Sequence, residues 1–123
     1  MSKKLFSALA ALVLVLSLSV MAAAQGAKSV TLTGNILDKA CSAKNNTAET
    51  AGNHKKGCAL SPNCLKSGLG VFADGKYTEF DEKGTELAKA ALEKTSKANG
   101  AKFKVVGKVA DGKMMVESIS EVE

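Results

Sequence analysis

The four residues Ala-Asp-Gly-Lys occur twice in the second half of the chain, at 73–76 and at 110–113. Asp-Gly readily adopts the positive φ angles of a two-residue hairpin turn, so each copy predicts two antiparallel strands joined by that turn. The four strands are expected at residues 69–73, 76–80, 103–109 and 113–119. Two hairpins in so short a chain indicate a mainly β protein.

A further strand is predicted before the hairpins. Residues 30–37 alternate between apolar and polar side chains, with Asn35 on the polar face, which is the pattern of a strand with one buried side. In the strand at 103–109, Phe103, Val105 and Val109 share one face and lysines occupy the other. One side of this sheet is therefore expected to face water.

One helix is predicted between the two hairpins, at residues 85–99. Thr85 can cap its start, alanines and leucines form a narrow apolar stripe, and Asn99-Gly100 supplies its end. Five strands with a helix between the third and the fourth is the element order of the OB-fold, a small partly open barrel. We expect such an OB-fold-like barrel. An open sheet covered by one helix is the alternative, and the barrel is preferred because closure protects strand edges.

The N-terminus has the three parts of an export signal. Lys3 and Lys4 precede an apolar run at residues 5–20, and Ala22-Ala23-Ala24 forms a cleavage site before Gln25. The apolar run is shorter than the roughly 20 residues needed to span a bilayer. We expect residues 1–24 to be a signal peptide and residues 25–123 to be a single exported domain. That domain should be periplasmic or secreted, with no membrane span after cleavage.

The charge of the chain argues against nucleic acid as a partner. Removing 24 of the 123 residues leaves 99, which carry 15 Lys, no Arg and 12 acidic residues, for a net charge of +3. Dedicated phosphate and base recognition favours the bidentate guanidinium of Arg, and base stacking needs aromatic side chains, of which few remain. The scattered lysines therefore indicate a solvated surface.

Between the first two strands lies a segment without periodicity, at residues 38–68. It contains all three cysteines and the single histidine of the chain, namely Cys41, His54, Cys58 and Cys64, spaced C-x12-H-x3-C-x5-C. A loop this long in a small domain is typically functional, disordered or cross-linked. These four residues are the candidate site.

Three states of the cysteines in this loop are open: a disulfide, a metal site, or thiols that are all free or otherwise modified. An oxidising compartment favours a disulfide, and pairing Cys41 with Cys58 or Cys64 would contribute on the order of 3 kcal/mol. Alternatively, three thiols and one imidazole can form a tetrahedral site for zinc, and the soft sulfur ligands also suit copper(I). The disulfide is preferred because an exported thiol meets oxidants before it meets scarce metal.

No motif in the sequence indicates a reaction. The chain lacks a Cys-x-x-Cys redox pair and a Cys-x-x-Cys-His haem attachment motif, and no catalytic residue is predicted. We expect a non-enzymatic binding or structural module of the cell envelope, whose cysteine-stabilised loop presents a surface to a small ligand or an envelope protein. The alternative is a metal-binding or thiol-redox protein that uses the cysteines and the histidine.

Short motifs along most of the exported part also carry a resemblance. They are Leu32-Thr33-Gly34, Asp38-Lys39-Ala40-Cys41, His54, Gly57-Cys58-Ala59-Leu60, Cys64, Ser67-Gly68-Leu69-Gly70-Val71, Asp74-Gly75-Lys76 and Phe80-Asp81. In these the chain resembles a group of small exported bacterial proteins with a Gly-x-x-x-Asp-x-x-Cys … His-x-x-x-Cys … Cys loop and OB-fold-like strands. The resemblance implies that the loop and the strands form one module, and it implies no particular activity.

Overall fold

The structure is a computed structural model that describes residues 28–123 of the chain. The signal peptide predicted at residues 1–24 and the new N-terminus at Gln25 lie outside the described residues. Within residues 28–123, no helix is both long and apolar enough to cross a membrane.

Five strands and five helices make up the described part of the chain. In order they are β1 (Ser29–Asp38), α1 (Lys39–Ser42), α2 (Ala48–Asn53), α3 (Lys56–Ala59), α4 (Pro62–Lys66), β2 (Leu69–Ala73), β3 (Lys76–Phe80), α5 (Glu82–Lys94), β4 (Lys102–Ala110) and β5 (Lys113–Val122). The strands form one sheet that closes in a ring, in the order β1-β2-β3-β5-β4. The short β3–β5 pairing is parallel, and the other four pairings are antiparallel.

The mainly β class and both predicted hairpins are confirmed. Asp74 and Gly75 have φ angles of 53° and 75°, and Asp111 and Gly112 have φ angles of 54° and 74°. Positive φ at both central residues is the requirement of the hairpin turn that Asp-Gly favours, because it matches the twist of the flanking strands. The four hairpin strands therefore lie where the two Ala-Asp-Gly-Lys repeats predict them.

The first strand closes the ring by changing partners along its length. Its first part pairs with β4, up to Gly34 opposite Phe103, and its second part pairs with β2, from Asn35 opposite Phe72. A Cβ atom at Gly34 would lie 1.9 Å from the backbone oxygen of Phe72, so only glycine allows this approach. The partner change brings the end of β1, at Asp38, beside the start of β2.

The inside of the ring is an apolar core covered on one side by α5. Large side chains of three strands are fully buried in it, namely Leu69, Val71, Phe103, Val105 and Met114. The long helix adds Ala88 and Leu92 to the same cluster. Burial of apolar area contributes roughly 25 cal/mol per Å², so these contacts are the main source of stability in the ring.

The long helix begins and ends earlier than its predicted range of 85–99. It spans Glu82–Lys94, and its cap is Asp81, whose carboxylate accepts a hydrogen bond from the backbone N–H of Gly84 at 2.8 Å. Thr85, the predicted cap, instead accepts from the backbone N–H of Leu69 at 3.3 Å. Both residues can cap a helix by themselves, and the packing of the first turn against β2 and β5 decides between them.

Two side chains differ in solvent exposure from what their pattern predicted. Asn35 is buried rather than solvated, because its amide donates a 3.0 Å hydrogen bond to the backbone oxygen of Ala101. Val109 is 40% exposed, because a register shift between Val106 and Gly107 precedes it and it lies near the end of the hairpin. Strict alternation does not continue through such a bulge.

The expectation of one helix and an unstructured loop is wrong for residues 39–68, which we call the cysteine segment. This segment folds into the four short helices α1 to α4, each of four to six residues. Only Ala51 and Ala59 are buried among the residues of these helices. Helices this short show no 3.6-residue apolar repeat, so periodicity could not reveal them.

Candidate metal centre

Asp38, the last residue of β1, is the buried centre of the candidate site. Its side chain has no solvent exposure and both of its carboxylate oxygens are engaged. Oδ2 accepts from the backbone N–H of Cys41 at 3.0 Å, and Oδ1 lies 2.9 Å from Nε2 of His54. A buried carboxylate is costly unless it is hydrogen-bonded, and these two contacts meet that requirement.

The first short helix places Cys41. Asp38 is the cap of α1, and the backbone N–H that it accepts belongs to Cys41 itself. The backbone N–H groups of the two preceding residues are also bonded: Lys39 donates to the oxygen of Gly68 at 2.9 Å, and Ala40 donates to the hydroxyl of Ser67 at 3.1 Å. The Cys41 side chain is therefore held close to the carboxylate that caps its helix.

The second short helix places His54. Thr47 and Thr50 form a reciprocal capping box at the start of α2, and His54 is the residue at its end. Ala51, at the middle of α2, packs with Leu37 and Phe72 in a small apolar cluster beneath the helix. This anchor directs the imidazole toward Asp38, and the His54 side chain is only 7% exposed.

The third short helix places Cys58 at the solvent side of the site. Ala59 is fully buried in the main core, and the backbone N–H of Lys56 donates a 2.9 Å hydrogen bond to the oxygen of Ala98, beyond the long helix. These two contacts fix α3 on the ring, and the Cys58 side chain next to Ala59 is exposed. The site thus has a buried carboxylate, an almost buried imidazole and one accessible sulfur.

Four side chains converge into a group that could hold a metal ion. One ligand atom each from Asp38, Cys41, His54 and Cys58 lies within 4.8 Å of all the others. Zinc bonds of about 2.0–2.3 Å to oxygen, nitrogen and sulfur place tetrahedral ligands about 3.3–3.8 Å apart. A pair of ligand atoms at the 4.8 Å limit would therefore have to approach by about 1.0–1.5 Å, which is within the reach of side-chain rotation.

Three of the four predicted site residues belong to this group, and Cys64 does not. Cys64 lies half-buried on α4, which packs against α3 and α1. It remains close enough to influence the other two thiols electrostatically. The three cysteines, all in the described part of the chain, are free thiols.

The environment of the site favours protonated thiols when no metal is bound. Partial burial and the neighbouring Asp38 carboxylate raise the pKa of Cys41 to about 12. Partial burial and the nearby Cys64 raise the pKa of Cys58 as well. Reactive and catalytic cysteines need a lowered pKa, because the thiolate is the nucleophile. A divalent cation would reverse this situation, since a coordinated thiol is deprotonated.

The sequence contained a signal for Asp38 that residue type alone did not reveal. Asp three residues before Cys41 has the spacing of a helix cap, and a carboxylate is itself a ligand that zinc accepts. The sequence pattern assigns Asp38 to a polar loop, so its burial follows only from the short helices that lie over the end of β1.

Comparisons of the chain with protein-family models, with curated proteins and with solved structures give no significant match. The geometry of the site therefore carries the functional argument.

Proposed function

We propose that the protein is an exported, non-enzymatic module of the cell envelope in which Asp38, Cys41, His54 and Cys58 bind one zinc ion. The observation that carries the proposal is the convergence of these four ligand atoms within 4.8 Å of one another. Each comes from a different element or helix end, namely β1, α1, the end of α2 and α3. A bound ion would therefore connect the first three of the four short helices to the ring.

The donor set favours zinc over copper(I). Zinc accepts sulfur, imidazole and carboxylate ligands in tetrahedral sites, whereas copper(I) prefers soft thiolate and thioether ligands. The carboxylate of Asp38 is a hard donor at the most buried position of the group. Two thiolates and one carboxylate carry three negative charges, which a divalent cation offsets better than a monovalent one.

A structural role fits the site better than a catalytic one. Four protein ligands fill a tetrahedral zinc site, whereas catalytic zinc keeps one position for water or substrate. The four short helices bury only Ala51 and Ala59, so their own packing supplies little stability. Binding free energy at such a site acts as folding free energy for the segment that supplies the ligands.

The proposed fold and cellular location are supported by the order of the elements and by the N-terminal sequence. The closed ring with α5 between β3 and β4 supports an OB-fold-like barrel, and in that fold the connection between the first two strands belongs to the ligand-binding face. The N-terminal Ala-x-Ala pattern supports export, and the resemblance to small exported proteins agrees with it. The zinc-bound loop would present its lysines to an envelope partner.

Zinc titration of the reduced, exported protein tests this proposal. Competition with a chromogenic chelator should give one zinc per chain with a Kd below micromolar. Cobalt(II) should give an intense sulfur-to-metal absorption band and the visible spectrum of a tetrahedral site. Asp38→Asn and Cys41→Ser should each weaken zinc binding by about 10-fold to 100-fold, which is the range for losing the groups that support a metal site.

A matched control comes from the same helix as Cys41. Ser42→Ala removes a neighbouring hydroxyl whose only described hydrogen bond is to the backbone oxygen of Lys39, and zinc affinity should stay within about twofold. Zinc binding of equal strength in Cys41→Ser and Ser42→Ala, or no binding by the unsubstituted protein, would refute the proposal.

A further inference from the structure

Cys58 and Cys64 are placed differently around the candidate site. Cys58 belongs to the group of metal ligands and is exposed, whereas Cys64 lies outside that group and is half-buried. The two residues are on consecutive short helices, α3 and α4, which pack against each other. A turn through Leu60 and Ser61 separates these helices, and the hydroxyl of Ser61 bonds the backbone oxygen of Cys58 at 2.8 Å.

The two short helices that carry these thiols are held by few contacts. A helix of four residues and one of five have few contacts to lose, and neither Pro62–Lys66 nor its cap is buried. Because α3 and α4 already pack against each other, a movement of α4 can bring Cys64 to Cys58.

We propose that Cys58 and Cys64 are a dithiol oxidation site, and that closing their disulfide removes Cys58 from the metal and releases the zinc. This inference rests on the proposed zinc site, because it describes how zinc binding at that site is regulated. Cys64 then has a role of its own, because it is the thiol that forms the disulfide with Cys58 and so removes Cys58 from the metal.

The reaction balances with a small disulfide as oxidant. The Cys64 thiolate attacks one sulfur of the oxidant and forms a mixed disulfide, and the first small thiol leaves with the Cys64 proton. The zinc-bound Cys58 thiolate then attacks the Cys64 sulfur, and the second small thiolate leaves and takes a proton from water. Cys58 and Cys64 lose two electrons and the oxidant gains them. Zn²⁺ departs, and Cys41 takes a second proton from water.

The charge around the segment indicates which disulfides would react best. Residues 39–68 contain five lysines and one acidic residue, for a net charge of +4. A surface of one sign concentrates small molecules of the opposite sign and raises their association rates. The oxidant class is therefore a small anionic disulfide, for which oxidised glutathione is a suitable probe.

The test starts from the reduced, zinc-loaded protein with an indicator that reports free zinc. Oxidised glutathione should release one zinc per chain, and the protein mass should fall by the two hydrogens lost in one disulfide. Peptide mapping should identify a Cys58–Cys64 cross-link. Cys64→Ser should bind zinc within about threefold of the unsubstituted protein and should release it at least 10 times more slowly.

Asn63→Ser, an exposed change on the same helix, is the matched control and should release zinc at the unsubstituted rate. Release from Cys64→Ser at that same rate would overturn the inference, as would a disulfide that contains Cys41. Loss of zinc affinity of 100-fold or more in Cys64→Ser would also overturn it, because Cys64 would then be a ligand. Failure of the reduced, unsubstituted protein to bind zinc would instead refute the proposed function.

Discussion

The ring of strands and the cysteine segment are stabilised in different ways. The ring has long backbone ladders and a core of fully buried side chains, including Phe103, Val105 and Met114. The cysteine segment has four helices of four to six residues that bury only Ala51 and Ala59. Its fixed points are polar contacts, of which those of Asp38 are the most buried.

This difference implies that the segment depends on the ring more than the ring depends on the segment. Asp38, the centre of the candidate site, is itself a strand residue paired with Leu69 of β2. The ring can keep its core while the helices rearrange, but the site cannot form without the end of β1. Removing the metal, changing the pH or substituting a glycine should therefore affect the ring and the cysteine segment differently.

The largest expected effect is in the ring. Phe103→Ala should lower the free energy of unfolding by about 3–5 kcal/mol, because it leaves a cavity at a side chain that is only 1% exposed. Denaturant unfolding measures this with and without zinc. Val109→Ala, at a 40% exposed position of the same strand, should cost well under about 1 kcal/mol. Similar losses for both variants would contradict the assigned core.

Removing zinc should act on the cysteine segment. At zinc 100 times above its Kd, a chelator should lower the free energy of opening of this segment by about 2.7 kcal/mol. Amide hydrogen exchange should show faster exchange at Cys41 and Leu65, while the amide of Val105 stays strongly protected. Simultaneous loss of protection in both regions would mean that they unfold as one unit and that the comparison is wrong.

A change of pH should alter zinc affinity more gradually. The pKa of Cys41 is raised to about 12 and that of Cys58 is raised above its usual 9.0, so both thiols are protonated near pH 7 in the metal-free protein. Binding then releases two protons, and affinity should fall about 10-fold for each half unit of decreasing pH, or about 1.4 kcal/mol. Zinc titrations between pH 6.5 and 8 check the slope, and an affinity independent of pH would exclude two thiolate ligands.

The smallest expected effect is a gain in stability. Gly57 in α3 has no neighbour within 4 Å of the position of a Cβ atom, so Gly57→Ala should raise the free energy of unfolding by about 0.4–1 kcal/mol. Gly34→Ala in β1 is the contrasting change, because its Cβ would meet the backbone oxygen of Phe72. Thermal unfolding measures both, and a stabilising Gly34→Ala would contradict the closed ring.

The sequence predicted the strands well because their signals are local. Alternation of side chains marks a strand within a few residues, and Asp-Gly fixes the turn between two of them. The four hairpin strands begin within one residue of their predicted starts and end within three residues of their predicted ends. The helices of the cysteine segment escaped prediction because four to six residues are too few to show a helical repeat.

The sequence predicted which residue types could form the site, but not which individual residues belong to it. Cys41, His54 and Cys58 are expected ligands because sulfur and imidazole bind transition metals wherever the chain brings them together. Cys64 has the same chemistry, yet α4 holds it outside the group. Asp38 is an ordinary strand-end carboxylate in the sequence, and it joins the group because β1 ends under the short helices.

The sequence by itself thus determined the mainly β class, the two hairpins and the supply of thiol and imidazole ligands, since each depends on residues adjacent in the chain or on side-chain chemistry. Only the tertiary structure decided that the sheet closes in a ring, that Asp38 is buried, and that it meets His54 at 2.9 Å across 16 residues of sequence. The physical reason is that burial and ligand geometry are set by non-local packing, which determines which polar groups lose their water and must find partners within the protein.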